Sequence, residues 1–199
     1  TILIGDYLIV NKFIFSPGGN PLPLLPMRDI ERGDIIVFKY PGNSAVSPDD
    51  PRSDSSRGLA KYQLNYVKRV IGLPGETVEF RNNQVFINGE VLAEHRVIGD
   101  TRIRDAALVT REFEERDPED KWTVYYDSQT MADVQAGKRL ETRQYNFAVA
   151  GKPMKVPDNH FFVMGDNRDN STDSRVQSQV GFVPYENFVG RAEIIFFSG

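Results

Sequence analysis

The 199 residues predict a mainly β protein: an antiparallel, barrel-like β core into which a second, more exposed β-rich subdomain is inserted. Short runs rich in Val, Ile, Tyr and Phe recur between Gly, Pro, Asn and Asp breaks. Asn-rich turns, with Asn88-Gly89 the clearest, supply the positive φ of tight hairpins. Helical periodicity is scarce in the first and last parts of the chain.

Residues 2–4 (ILI) and 7–10 (YLIV) flank a Gly5-Asp6 break. Residues 34–40 (DIIVFKY) and 66–71 (YVKRVI) are the strongest strand candidates, the second ending at Gly72-Leu73-Pro74-Gly75. Residues 76–80 and 84–87 read as successive antiparallel strands joined at Arg81-Asn82-Asn83, and residues 160–164 and 191–197 close the set. Two stretches interrupt it. Residues 42–61 are rich in Ser, Pro, Asp and Gly and read as a solvated loop. Residues 91–151 are highly charged, with single-spaced apolar residues such as Trp122, Val124 and Tyr126. They read as the inserted subdomain, leaving 1–90 and 152–199 as the core.

Composition excludes several classes of function. A net charge of −4, from 24 basic and 28 acidic residues mixed along the chain, offers no broad positive field for nucleic acid. With no cysteine, disulfides and thiolate metal sites are impossible. No apolar run reaches the roughly 18 to 20 residues that cross a bilayer, and no export leader is visible. The abrupt start at Thr1, inside a strand-like run, leads us to expect an anchoring segment upstream. Residues 13–15 (FIF) and 21–27 (PLPLLPM) concentrate apolar side chains in a Pro-broken stretch, which suits either a lipid interface or core packing under a loop.

His95 and His160 lie far apart and outside any ligand-spaced cluster, so neither a metal nor a Ser-His-Asp site is supported. Lys68 is the more unusual residue. Strand alternation puts Tyr66, Lys68 and Val70 on one face and Val67, Arg69 and Ile71 on the other, so two adjacent cations point apart. If the Lys68 face is inward, desolvation lowers its pKa and makes it a base; if it lies at a strand edge, it snorkels to water.

The second constellation is residues 165–175 (GDNRDNSTDSR), directly after an apolar strand. Such a loop satisfies its own backbone with short polar side chains. Asp173 and Arg175, opposite in charge and two residues apart, are placed to pair and hold it to the core. It does not suit calcium, because the sixth position of an EF-hand register is Ser171 rather than Gly and the twelfth is Gln177 rather than Glu.

With these motifs in place, the chain resembles the bacterial type I signal peptidases, a serine/lysine-dyad family. Residues 1–13 (TILIGDYLIVNKF), 32–41 (RGDIIVFKYP), 66–80 (YVKRVIGLPGETVEF) and 165–175, followed by 181–192 (GFVPYENFVGRA), match in order. The resemblance implies that Lys68 is the general base, that Ser171 hydrogen-bonds and orients it, and that Asp173 and Arg175 form a supporting pair. It further implies that Ile2, Leu8, Val37, Asn65, Tyr66 and Val67 line a groove for signal peptides of preproteins with small, Ala-x-Ala-like residues before the cut. A lipid bilayer surface is the other implied partner, with the catalytic domain on the periplasmic face of the inner membrane; no cofactor is implied. The family's nucleophile lies in a Ser-Met-x-Pro segment just ahead of the position of Thr1, so it is expected upstream of this chain. Two other readings use the same residues: a peptide-binding β module without the chemistry, and a self-cleaving repressor peptidase. Retention of Lys68 argues against the first. The second is disfavoured by the insertion and by the lack of a helix-turn-helix.

Overall fold

The computed structural model describes residues 7–12, 14–15, 28–40, 65–99, 111–113, 116–127, 136 and 145–197. Its strands in chain order are β1 (Tyr7–Asn11), β2 (Ile35–Lys39), β3 (Asn65–Gly72), β4 (Thr77–Arg81), β5 (Gln84–Ile87), β6 (Glu90–Val91), β7 (His95–Gly99), β8 (Arg111–Phe113), β9 (Thr123–Asp127), β10 (Met154–Lys155), β11 (His160–Met164), β12 (Val183–Pro184) and β13 (Phe188–Phe197). They form a six-stranded sheet in the order β1-β13-β2-β3-β11-β12, a four-stranded sheet β10-β4-β5-β6 and a three-stranded sheet β8-β7-β9.

The mainly β, antiparallel class is the observed one. Among the described residues the large sheet is open, with β1 and β12 at its edges, and is not a closed barrel. One pairing is parallel, β7 with β9. Ile2, Phe13, residues 16–27 and residues 42–61 lie outside the described residues. From the apolar stretch near the N-terminus, Phe15 is buried in the core with Ile14 packed against it.

Local chemistry sets the hairpins. Arg81 pairs with Gln84 and Ile87 with Glu90, leaving two-residue loops at Asn82-Asn83 and Asn88-Gly89. All four loop residues have positive φ, from 49 to 88°, as the mirror-image turns matched to strand twist require.

The central pair β2 and β3 carries a different apolar cluster on each face. On one side Ile36, Phe38, Val70, Phe161 and Val163 pack together. On the other, Ile71, Phe162 and Met164 join Val78, Val85 and Ile87. Trp122, Val124, Tyr126 and Phe147, all from the 91–151 stretch, belong to this second cluster. Their single spacing is therefore the alternation of a half-buried strand, with Val124 and Tyr126 facing the core. These residues pack onto the side of the sheet from which β3 and β11 present Ile71 and Met164.

At Gly72 the backbone of β3 comes close to side chains of β4 and β11. A Cβ there would lie 2.5 Å from Val78 Cγ2 and 3.0 Å from Phe162 Cβ, both inside the core. Gly72→Ala should cost about 1–3 kcal/mol in urea unfolding with an unchanged denaturant slope. A variant as stable as the parent would contradict this packing.

Candidate active site

Lys68 stands in the middle of β3, opposite Ile36 on β2. On its other side β11 pairs antiparallel with β3, Val163 opposite Val70 and Met164 opposite Arg69. One residue further on, the chain leaves β11 at Gly165, which brings the start of the 165–175 loop to Lys68. The face assignment holds. Lys68 Nζ lies 5.8 Å from the centre of the Tyr66 ring on its own face, while Arg69 turns the other way, to a bidentate pair with Asp166 at 2.8 and 2.7 Å. The Arg69 guanidinium also stacks 5.1 Å from the Trp122 ring.

Gly165 is the meeting point. A Cβ on it would stand 3.7 Å from Lys68 Nζ and 2.6 Å from Ser171 Cβ, and would collide with Ser171 Oγ. Only hydrogen fits here, so the distances around Lys68 are fixed by backbone position. Ser171 is buried, and its Oγ has no hydrogen-bond partner among the described residues. The Ser171–Lys68 hydrogen bond implied by the resemblance is therefore not made, although both groups border the same face of Gly165. A buried hydroxyl left unmatched is unfavourable, and a small rotation toward an amine would relieve it.

Asp173 and Arg175 are fully buried and paired. Arg175 Nε donates to Asp173 Oδ1 at 2.9 Å and Nη2 to Oδ2 at 2.9 Å. The remaining acceptor capacity of Asp173 takes the backbone N–H of Gly165 at 3.0 Å and that of Arg175 at 3.1 Å. Burial pushes Asp173 up, but the Arg175 charge and these hydrogen bonds outweigh it and hold the carboxyl below its ordinary value. The Arg175 guanidinium is stacked 3.9 Å from the Tyr145 ring and 4.9 Å from that of Phe80.

Lys68 responds to these neighbours. Burial lowers its pKa below the ordinary 10.5; Asp173 and Asp166 raise it and Arg175 lowers it, and the net direction is down. The site thus holds an amine with a depressed pKa, whose charge Asp173 and, more weakly, Asp166 favour although each is already paired with an arginine.

The predicted groove residues divide between faces. Val37 and Val67 are directly paired, as are Lys39 and Asn65, whereas Tyr66 shares the Lys68 face and pairs with Phe38. Val37 is buried, Tyr66 and Val67 are half-buried and Asn65 is exposed. Leu8 lies in β1 opposite Ile195, and Ile2 is outside the described residues.

Sequence reasoning did not identify Glu94, Tyr126, Tyr145 or Arg168 as parts of the site. Arg168 is completely buried, donates from Nη1 to Glu94 Oε2 at 2.8 Å and from Nη2 to Glu94 Oε1, and reaches the Gly165 carbonyl through Nε at 3.2 Å. Its own carbonyl accepts from Arg175 Nη2 at 2.6 Å and from Tyr145 Oη at 2.9 Å. Burial opposes the Arg168 charge, but Glu94 and Tyr126 outweigh it and hold the guanidinium protonated. The one available signal was an arginine amid short polar residues, where a solvated loop would not need so large a donor. Neither histidine joins the site: His95 contacts Thr123 and His160 the Asp158 carbonyl. Among the described residues no cluster of His, Cys, Asp or Glu is arranged to hold a metal ion.

Comparison with known proteins supplies the context. Residues 1–197 match the family described as signal peptidase, peptidase S26. Signal peptidase I of Pseudomonas fluorescens is 33% identical over all of this chain, which spans 61% of that relative. Signal peptidase I of Rickettsia typhi is 30% identical, again over the whole chain and over 67% of its own length. A crystal structure of a signal peptidase I from Enterococcus faecalis aligns with 83% of the chain at 24% identity and a TM-score of 0.41. The match over nearly the full chain and the two relatives together show that this chain belongs to the signal peptidase family, peptidase S26.

Proposed function

We propose that the chain is the catalytic body of an endopeptidase that removes signal peptides from exported preproteins after small residues, at the periplasmic face of the inner membrane and against the lipid surface. Lys68 is its general base. The observation that carries this reading is an amine held at lowered pKa by burial, beside Gly165 and an unmatched Ser171 hydroxyl. The family resemblance implies that the serine nucleophile lies ahead of Thr1, and the chain spans 61% of its Pseudomonas relative.

In this mechanism neutral Lys68 Nζ takes the proton from the serine hydroxyl as its oxygen attacks the scissile carbonyl, then gives it to the departing amine. The same Nζ next draws a proton from the water that attacks the acyl group and passes it to the serine oxygen as that leaves, which restores the neutral amine. Each proton gain creates an ammonium that the charges of Asp173 and Asp166 favour, so part of the cost of burial is offset when charge develops. Ser171 Oγ serves as the acceptor that orients Nζ. The substrate runs extended along Asn65–Val67, beyond the point where β11 ends opposite Arg69, with backbone hydrogen bonds giving affinity and shallow apolar pockets giving selectivity.

The sign of the pH dependence follows. A lysine with a depressed pKa is the free base above that value, so cleavage of a lipid-presented Ala-x-Ala peptide should rise with pH along a limb lying below 10.5. In Lys68→Ala, kcat should fall by about 10²–10⁴ and the limb should vanish. Cleavage retained in that variant would reject Lys68 as base. Gly165→Ala should cost roughly 100-fold in kcat by displacing Ser171 and crowding Lys68; a near-normal kcat would show that this contact does not set the base.

A further inference from the structure

Building on the endopeptidase reading above, we propose that Glu94 is a positioning residue for Lys68, acting through Arg168 on Gly165. Glu94 lies between β6 and β7, outside every segment on which the sequence resemblance rests.

Gly165 is gripped from both sides. Its N–H donates to Asp173, and its carbonyl accepts from Arg168 Nε. Asp173 is oriented by Arg175, and Arg175 in turn donates to the Arg168 carbonyl. Arg168 therefore holds Gly165 directly by its side chain and indirectly through its backbone. A guanidinium is planar, so the direction of its Nε is fixed once its two Nη groups are engaged. Those groups engage the two oxygens of Glu94, and Nη1 also reaches the Tyr126 hydroxyl at 3.4 Å. Glu94 is thus the anchor that sets the plane of Arg168.

Glu94 is itself fixed. Trp122 Nε1 donates to Glu94 Oε1 at 2.9 Å, and the Trp122 ring packs against Gly33, where a Cβ would meet it at 2.8 Å. The Glu94 side chain is 4% exposed and that of Arg168 is 0% exposed. Solvent cannot replace the carboxylate, and without it a buried guanidinium would turn to other acceptors. The nearest such movement draws Nε from the Gly165 carbonyl and releases the residue that spaces Lys68 from Ser171. Displacements of about 1 Å at a reacting group can cost as much as a hundredfold in rate.

The test uses the full-length protein, a lipid-presented Ala-x-Ala peptide, and kcat and KM normalised to the folded fraction. Glu94→Gln keeps the shape and an acceptor for Trp122 but removes the charge. It should lower kcat by roughly tenfold to a hundredfold with KM nearly unchanged, and the same substitution should cost little when made in an Arg168→Met background. A lowered Tm with unchanged kcat per folded molecule would make Glu94 merely structural and overturn the inference. So would a full loss persisting in the Arg168→Met background. Should Glu94→Gln not fold, Glu94→Asp, which keeps the charge but draws the carboxylate back from Arg168 by one methylene, carries the test: a lower kcat at constant KM supports the inference, and an unchanged kcat overturns it. Failure of the parent protein to cleave would instead remove the endopeptidase reading and this inference with it.

Discussion

The buried ion pair between Asp173 and Arg175 is the constraint from which the rest of the site follows. Two opposite charges have been taken fully out of water, which is unfavourable unless nearly every donor and acceptor is matched. Matching them recruits the Gly165 N–H, the Arg168 carbonyl and the Tyr145 and Phe80 rings. Each recruit fixes a part of the loop. Replacing such a pair with apolar residues often leaves stability unharmed, so the physical reason to keep it is position: it locates Gly165, and Gly165 locates Lys68 and Ser171.

Lys68 itself sits between two opposing tendencies. Full burial beside unopposed cations would leave it permanently neutral, and full exposure would leave it charged. Its place in β3 puts it behind β11 and against the loop, where burial lowers its pKa, while Asp173 and Asp166 remain close enough to favour the ammonium. The large sheet performs this by arranging β2, β3 and β11 side by side, with a separate apolar cluster on each face. The 91–151 stretch adds Trp122, Val124 and Tyr126 beneath the second cluster, and its β9 backbone exchanges hydrogen bonds with the loop at Asp166 and Arg168.

Features governed by local rules were legible in the sequence. Alternation along residues 66–71 separated Lys68 from Arg69, and asparagines fixed the hairpins at 82–83 and 88–89. The Asp173–Arg175 pairing also followed from spacing. Features governed by distant contacts were not legible. Glu94 meets Arg168 across 74 residues of sequence, and nothing near either residue advertises the other. The loop read as satisfying its own backbone, yet Arg168 is buried because Glu94, between β6 and β7, supplies the counter-charge. The parallel pairing of β7 with β9 likewise depends on a crossover that local pattern does not encode. Ser171 is the instructive intermediate case: the resemblance pointed to its place beside Gly165, but its hydroxyl is left without a partner there.

The most direct measurement is the titration of Lys68 itself, by nuclear magnetic resonance of 13Cε-labelled lysines, assigned by comparison with a Lys68→Met variant. A Lys68 resonance that titrates below the ordinary 10.5 is the predicted result. A Lys68 that titrates at or above 10.5 would contradict the account, because an amine charged throughout the working range cannot serve as the base.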